Sequence, residues 1–134
     1  MAESKDLRFP DTLKYHAEHE WISASAPYLV GISDFAQDQL GDLTYVELPE
    51  TGRVLARGEE FGTLESTKSV SPLFSPVAGV VAAVNEELAD DPGLPNADPY
   101  GRGWIIEIRP ENPAELDELM DAGAYKKFLE TARH

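Results

Sequence analysis

Apolar and polar residues alternate through the middle of the chain in short runs, each closed off by Gly, Pro, Asn or Asp. Alternation with a period of two marks strands with one buried face, and the Gly and Pro between them mark tight turns. This pattern predicts strands over residues 20–24, 28–32, 44–47, 53–55, 60–66, 69–74, 79–85 and 103–109. Two stretches switch to helical spacing. Ser33 or Asp34 caps the first and Gly41 ends it. The second opens at Asn112, with Pro113 at the first helical position and Glu115 reaching back toward the cap. Leu116, Leu119 and Met120 form its apolar face, Gly123 breaks it, and Tyr125, Phe128 and Leu129 continue for a further turn or two against the β core. Residues 90–101, crowded with Gly, Pro, Asn and Asp, read as a long surface loop.

A chain of 134 residues suits one core, so a single domain over 1–134 is expected, with a β core at about 13–110 and a helical segment at 112–132. The 25 acidic side chains outnumber 11 basic ones, for a formal charge of −14. Such a surface repels nucleic acid and anionic membranes, stays monomeric, and attracts partners with basic faces. The chain has no cysteine, so any redox sulfur has to be imported on a cofactor. Met1–Pro10 has neither the apolar stretch of a signal peptide nor the character of a transit peptide, so a cytoplasmic protein is expected.

Most candidate chemistry falls away on inspection. No glycine-rich phosphate loop and no Gly-x-Ser-x-Gly elbow occurs. His16 and His19 with Glu18 and Glu20 are metal-ligand types, but they lack zinc-protease spacing and read as structural residues. The pairs Glu59-Glu60, Glu86-Glu87 and Asp90-Asp91 flank turns, where neighbours point in opposite directions, and read as solvated charges. No catalytic or metal-binding residue is expected. Lys68 differs in its setting. It lies in Phe61-Gly62-Thr63-Leu64-Glu65-Ser66-Thr67-Lys68-Ser69-Val70, between two strand-like runs, so a hairpin tip presents its amine away from the core.

Glu-Ser-Thr-Lys-Ser-Val followed by Leu-Phe-Ser-Pro-Val-Ala-Gly resembles the lipoylation hairpin of glycine cleavage H proteins. Further blocks agree in order: Lys14-Tyr15 with Glu18-His19-Glu20-Trp21, Gly31-Ile32-Ser33-Asp34, Val46-Glu47-Leu48-Pro49, Asn96-Ala97-Asp98-Pro99-Tyr100 and Gly103-Trp104. The resemblance implies a mainly β fold, a barrel-sandwich hybrid (hammerhead) of lipoyl type with a short side helix and C-terminal helices. It implies lipoic acid in amide linkage to Lys68, with Glu65 helping the attaching enzyme to recognise that lysine. The role implied is a non-catalytic carrier. Such a carrier takes the aminomethyl group of glycine from the pyridoxal-phosphate glycine decarboxylase (P protein) to the aminomethyltransferase (T protein), and electrons to dihydrolipoyl dehydrogenase (L protein). Lipoylating enzymes complete the implied partners. Family members shelter the loaded arm in a cleft, and by position Glu20 would pair with the arm's amine while Ile32 and Gln39 line the cleft.

Two departures accompany the resemblance: Pro72 stands where family members often carry an acid, and the turn at Ser23-Ala24-Ser25-Ala26-Pro27-Tyr28 is shorter than usual. Alternatives that remain are an H-like lipoyl carrier of another pathway, in sulfur oxidation or lipoyl relay, and an unmodified scaffold. A biotin carrier is disfavoured, because its lysine is normally flanked by methionines and here Thr67 and Ser69 flank Lys68.

Overall fold

The computed structural model describes residues 7–132. The expectation drawn from Met1–Pro10 falls partly on residues 1–6, outside the described ones, as do the ends of the domain span at 1–6 and 133–134. The described chain builds two sheets. Six strands pair in the order β1 (Leu13–Tyr15), β2 (Glu20–Ser23), β3 (Tyr28–Ile32), β9 (Ile106–Pro110), β8 (Gly79–Val84) and β5 (Val54–Leu55). Three more pair as β4 (Leu43–Glu47), β6 (Glu60–Ser66) and β7 (Val70–Phe74). Neither sheet closes into a barrel.

Between the sheets lies one apolar cluster that draws Ile22, Val30 and Ile32 from one side and Val46, Leu64 and Leu73 from the other, all buried. Each such side chain contributes about 1.5–3 kcal/mol on burial, which is why the alternation in the sequence is a reliable guide here. The other face of β2 and β3 is covered by the C-terminal helix α4 (Ala122–Ala132), whose Tyr125 and Leu129 pack on Tyr15 and Trp21. Tyr15 and Tyr125 stack with ring centres 4.7 Å apart. Gly31 lies opposite Trp21 in the register, and a Cβ there would sit 2.8 Å from the indole, so only glycine leaves room for the ring.

Several expectations need correction. The strand β1 is additional to those read from the pattern. Gly123 does not break a helix: Asp121 accepts a hydrogen bond from the Ala124 amide (2.8 Å) and caps α4, which leaves Gly123 in the first turn. The preceding segment at Pro113–Glu118 is a 3-10 helix capped by Asn112. The Glu115 carboxylate does not return to that cap. It accepts the Ala78 amide (2.9 Å), holding the turn that leads from β7 into β8. Residues 90–101 are not simply a surface loop either. They contain the end of α2 (Glu87–Asp90) and all of α3 (Leu94–Ala97), and Leu94, Pro95 and Pro99 are buried. The final strand starts at Ile106 rather than at residue 103.

Candidate functional site

The hairpin of β6 and β7 pairs Glu65 with Val70, which leaves Ser66, Thr67, Lys68 and Ser69 at its tip. Ser66 shapes that tip. Its hydroxyl oxygen accepts the amides of Lys68 (3.3 Å) and Ser69 (3.1 Å), and its own amide donates to the Ser69 carbonyl (2.8 Å). Lys68 is exposed, and it is the sole basic residue between Arg57 and Arg102.

The tip leans on the end of helix α1 (Asp34–Leu40). The Thr67 amide donates to the Asp42 carbonyl (3.3 Å), and a Cβ on Gly41 would lie 3.5 Å from Lys68 Cε and 3.9 Å from Nζ. Gly41 ends the helix with φ 77° and ψ −163°, a conformation nearly restricted to glycine. Ser33 opens the same helix by accepting the Ala36 amide. Asn96 fixes its far end, donating to the Gly41 carbonyl (2.9 Å) and the Gln37 side chain (3.2 Å) and accepting the Leu43 amide (2.9 Å). The sequence marks Asn96 only by its place in a Gly- and Pro-rich stretch and in the block Asn96-Ala97-Asp98-Pro99-Tyr100 that carries the resemblance.

From that helix a cleft of about 140 Å³ opens toward β2. Glu20, Ile32 and Gln39 all line it, beside Phe35, Leu64 and Leu73. The register explains how distant residues meet, since Glu20 faces Ile32 across β2 and β3. Lys68 and Glu65 are absent from the lining and sit together on the hairpin. Pro72, opposite Thr63 on the edge strand β7, contributes to the cleft wall. A residue without an amide proton is tolerated on an edge strand.

Two carboxylates line the cleft, Glu18, which is exposed, and Glu20, which is 1% exposed. Glu20 Oε2 accepts the Phe74 amide (2.9 Å) and Glu20 Oε1 lies 3.1 Å from His16 Nδ1. Burial pushes the Glu20 carboxyl above the usual range, and the hydrogen bonds from His16 and Phe74 oppose that shift. Each oxygen keeps a lone pair beyond these bonds, so a further donor can be accepted. His16, which reads from the sequence as a structural residue of metal-ligand type, is a partner of the cleft carboxylate.

His19 has φ 81°, unusual for a residue with a side chain, and is fixed by several bonds. Its amide donates to the His16 carbonyl (2.8 Å), and its Nδ1 lies 2.8 Å from the Tyr125 hydroxyl, which also bonds Ser33 Oγ at 2.8 Å. Burial pushes the His19 imidazole below its usual range and the Tyr125 phenol above its own, so both are neutral near pH 7. Among the described residues no group of three or more His, Asp or Glu is placed to hold a metal ion, and no helix is long and apolar enough to cross a membrane.

Two facing sheets without barrel closure, C-terminal helices at the side and a lysine offered on a hairpin of the smaller sheet define a lipoyl-type carrier fold. The family model for the glycine cleavage H-protein matches residues 13–132. The chain belongs to that family, whose members are non-catalytic proteins carrying a lipoyl group on a lysine in glycine cleavage. It is 51% identical over 125 residues to the glycine cleavage system H protein of Anaeromyxobacter sp. (strain K), covering 92% of this chain and 98% of that one. With the H protein of Symbiobacterium thermophilum it shares 54% identity over 120 residues, covering 89% of this chain and 94% of the relative. The crystal structure of a glycine cleavage system H protein from Mycobacterium marinum superposes with a TM-score of 0.81 at 36% identity, covering 94% of this chain and all of the other. The alternatives of another pathway or an unmodified scaffold are not favoured by these relatives.

Proposed function

We propose that Lys68 is the lysine that carries the lipoyl group, that Glu65 marks it for the attaching enzyme, and that Glu20, Ile32 and Gln39 belong to the cleft that shelters the arm. The observation that carries this reading is the position of Lys68 over Gly41, at the end of the helix whose Ala36, Gln39 and Leu40 line the cleft. Attachment point and shelter thus share one helix.

The residues present suit the group. When bound, the lipoyl group supplies a dithiolane that exchanges two electrons and takes up a carbon fragment on sulfur, chemistry for which this cysteine-free chain has no side chain. The Ser66 turn keeps the Lys68 amine away from the core. Ile32, Phe35, Leu64 and Leu73 make the cleft apolar and exclude water. Glu20 offers one carboxylate for the charged amine of a loaded arm.

The working partners under this reading are glycine decarboxylase, aminomethyltransferase and dihydrolipoyl dehydrogenase, together with lipoylating enzymes. The chain is a single-domain monomer that carries the aminomethyl group between the first two and electrons to the third. A tethered group visits several active sites at high effective concentration, which is the advantage of a carrier. Bacterial relatives support a cytoplasmic location.

Intact mass spectrometry with peptide mapping tests the assignment, on protein made in a lipoate-supplied host that has lipoylating enzymes. One lipoyl increment on the peptide containing Lys68 is expected. A bare Lys68, or an increment on Lys14, Lys126 or Lys127, overturns it.

A further inference from the structure

The three-stranded sheet has an outer face that departs from the polar pattern expected of a solvated surface. Tyr45, Glu65 and Val70 lie directly opposite one another across β4, β6 and β7. Tyr45 is 53% exposed and Val70 65%, and together with Val54 they are the large apolar residues most open to solvent among the described residues. The intervening row, Val46, Leu64 and Ser71, faces inward, where Val46 and Leu64 join the core. In the next outward row Thr63 donates to the Glu47 carboxylate (2.8 Å). The Glu65 carboxylate accepts no such bond among the described residues. An uncommitted carboxylate is thus flanked by an exposed aromatic and an exposed aliphatic side chain, three residues before Lys68.

We propose that this row is the docking face for the enzyme that attaches the lipoyl group to Lys68, a partner offering a cation to Glu65 and apolar pockets to Tyr45 and Val70. The proposal rests on the reading of Lys68 as the attachment point. Reach selects the occupant. Attachment requires Nζ, as the free amine, to attack the carbonyl carbon of an activated lipoyl acyl group. The amide C–N bond forms, the bond to the leaving group breaks, and the amine gives up a proton to solvent. The attaching enzyme must therefore bring its own active site to the end of a bare lysine side chain. Enzymes that act on the dithiolane can stay a full arm's length from the sheet. A face that begins at the last paired residues before the tip, Glu65 and Val70, suits the first and is not required by the second.

Charge and edge chemistry agree. Lys68 is the lone cation between Arg57 and Arg102 in a chain of net charge −14, so a basic partner surface meets little repulsion. An arginine on that surface could grip Glu65 with two parallel hydrogen bonds. Pairing of a partner strand along β7 is hindered by Pro72, which has no amide to donate, so side chains rather than backbone carry the contact.

The test is steady-state lipoylation of purified unmodified protein by a purified lipoate–protein ligase with lipoate and ATP, followed by intact mass. Tyr45→Ser and Val70→Thr are each expected to lower kcat/KM about 5- to 10-fold, chiefly through KM, with the double variant lower still. Val54→Thr, which removes an equally exposed apolar residue from the other sheet, is the control and leaves the rate unchanged. Calorimetric binding of the ligase to Lys68→Arg protein, which cannot be modified, must show the same order of affinities. Once loaded to completion with excess ligase, the variants are expected to be reoxidised by dihydrolipoyl dehydrogenase at the parental rate. Parental lipoylation of both variants, or an equal loss in Val54→Thr, overturns the docking face. Failure of the parent itself to be modified at Lys68 instead overturns the attachment reading beneath it.

Discussion

Glu65 and Glu20 are the same residue type on strands of facing sheets, and their surroundings are opposite. Glu65 stands on the outer face of the small sheet beside the hairpin tip, with no hydrogen-bonded partner for its carboxylate among the described residues. Glu20 is buried, held by the Phe74 amide and by His16, and keeps a carboxyl pushed above its usual range. A carboxylate kept in water costs nothing to hold and gains only when a partner arrives. A buried one is fixed in place beforehand at the expense of desolvation. Under the proposed function the difference separates two tasks of a carrier, being recognised and loaded at the tip, and holding the load in the cleft.

The sharpest way to break the comparison acts on the lysine between the two. Lys68→Arg is expected to abolish the lipoyl increment in intact mass, while unfolding free energy in urea stays within about 0.5 kcal/mol of the parent, as for an exposed substitution. Glu20→Ala strands the Phe74 amide and opens a hole, and is expected to cost about 2–3 kcal/mol in the same urea titration. Glu20→Gln keeps an acceptor for that amide and should remain within about 1 kcal/mol of the parent.

The pH dependence sharpens the point. The folded state raises the Glu20 pKa, so it binds that proton more tightly than the unfolded chain does. The associated stability is complete below the ordinary carboxylate range and is lost as pH rises through the raised folded value. The parent's stability relative to Glu20→Gln must therefore be greatest in acid and shrink toward neutrality, as urea midpoints across pH would show. A difference that grows with pH would contradict the assignment of burial as the dominant cause.

Gly41→Ala probes the link between tip and cleft. Its φ and ψ lie where alanine is strained, and the added methyl meets the Lys68 stem, so a loss of about 1–3 kcal/mol is expected on thermal unfolding. Glu65→Gln is the smallest perturbation of the fold, within about 0.5 kcal/mol, because nothing leans on that carboxylate. Its expected effect appears only in lipoylation, as a rise in KM.

How much of this was legible in the sequence follows from how local each feature is. The Lys68 hairpin needs only two alternating strands and a Ser-rich turn, all within residues 60–74, and was readable directly. The placement of Glu20, Ile32 and Gln39 along one wall came from family resemblance, since residue spacing alone does not say that β2 and α1 frame a common cleft. Asn96 acts through partners more than fifty residues away in sequence, and His16, though only four residues from Glu20, read simply as a structural histidine of metal-ligand type, so neither role was visible. Strand β1 escaped notice because Leu13-Lys14-Tyr15 is too short to show a period. Gly123 misled for a general reason: glycine commonly ends helices, and here a cap one residue before the helix placed it at the start.

Under the proposed function the tip gives the lysine out and the cleft takes the loaded arm back. Methyl NMR spectra of the protein before and after loading with the amine-bearing arm test it most directly. Shifts are expected at Ile32, Leu64 and Leu73, which line the cleft, with their reduction in Glu20→Gln. Shifts confined to residues around the hairpin tip, with the cleft methyls unmoved, would contradict it.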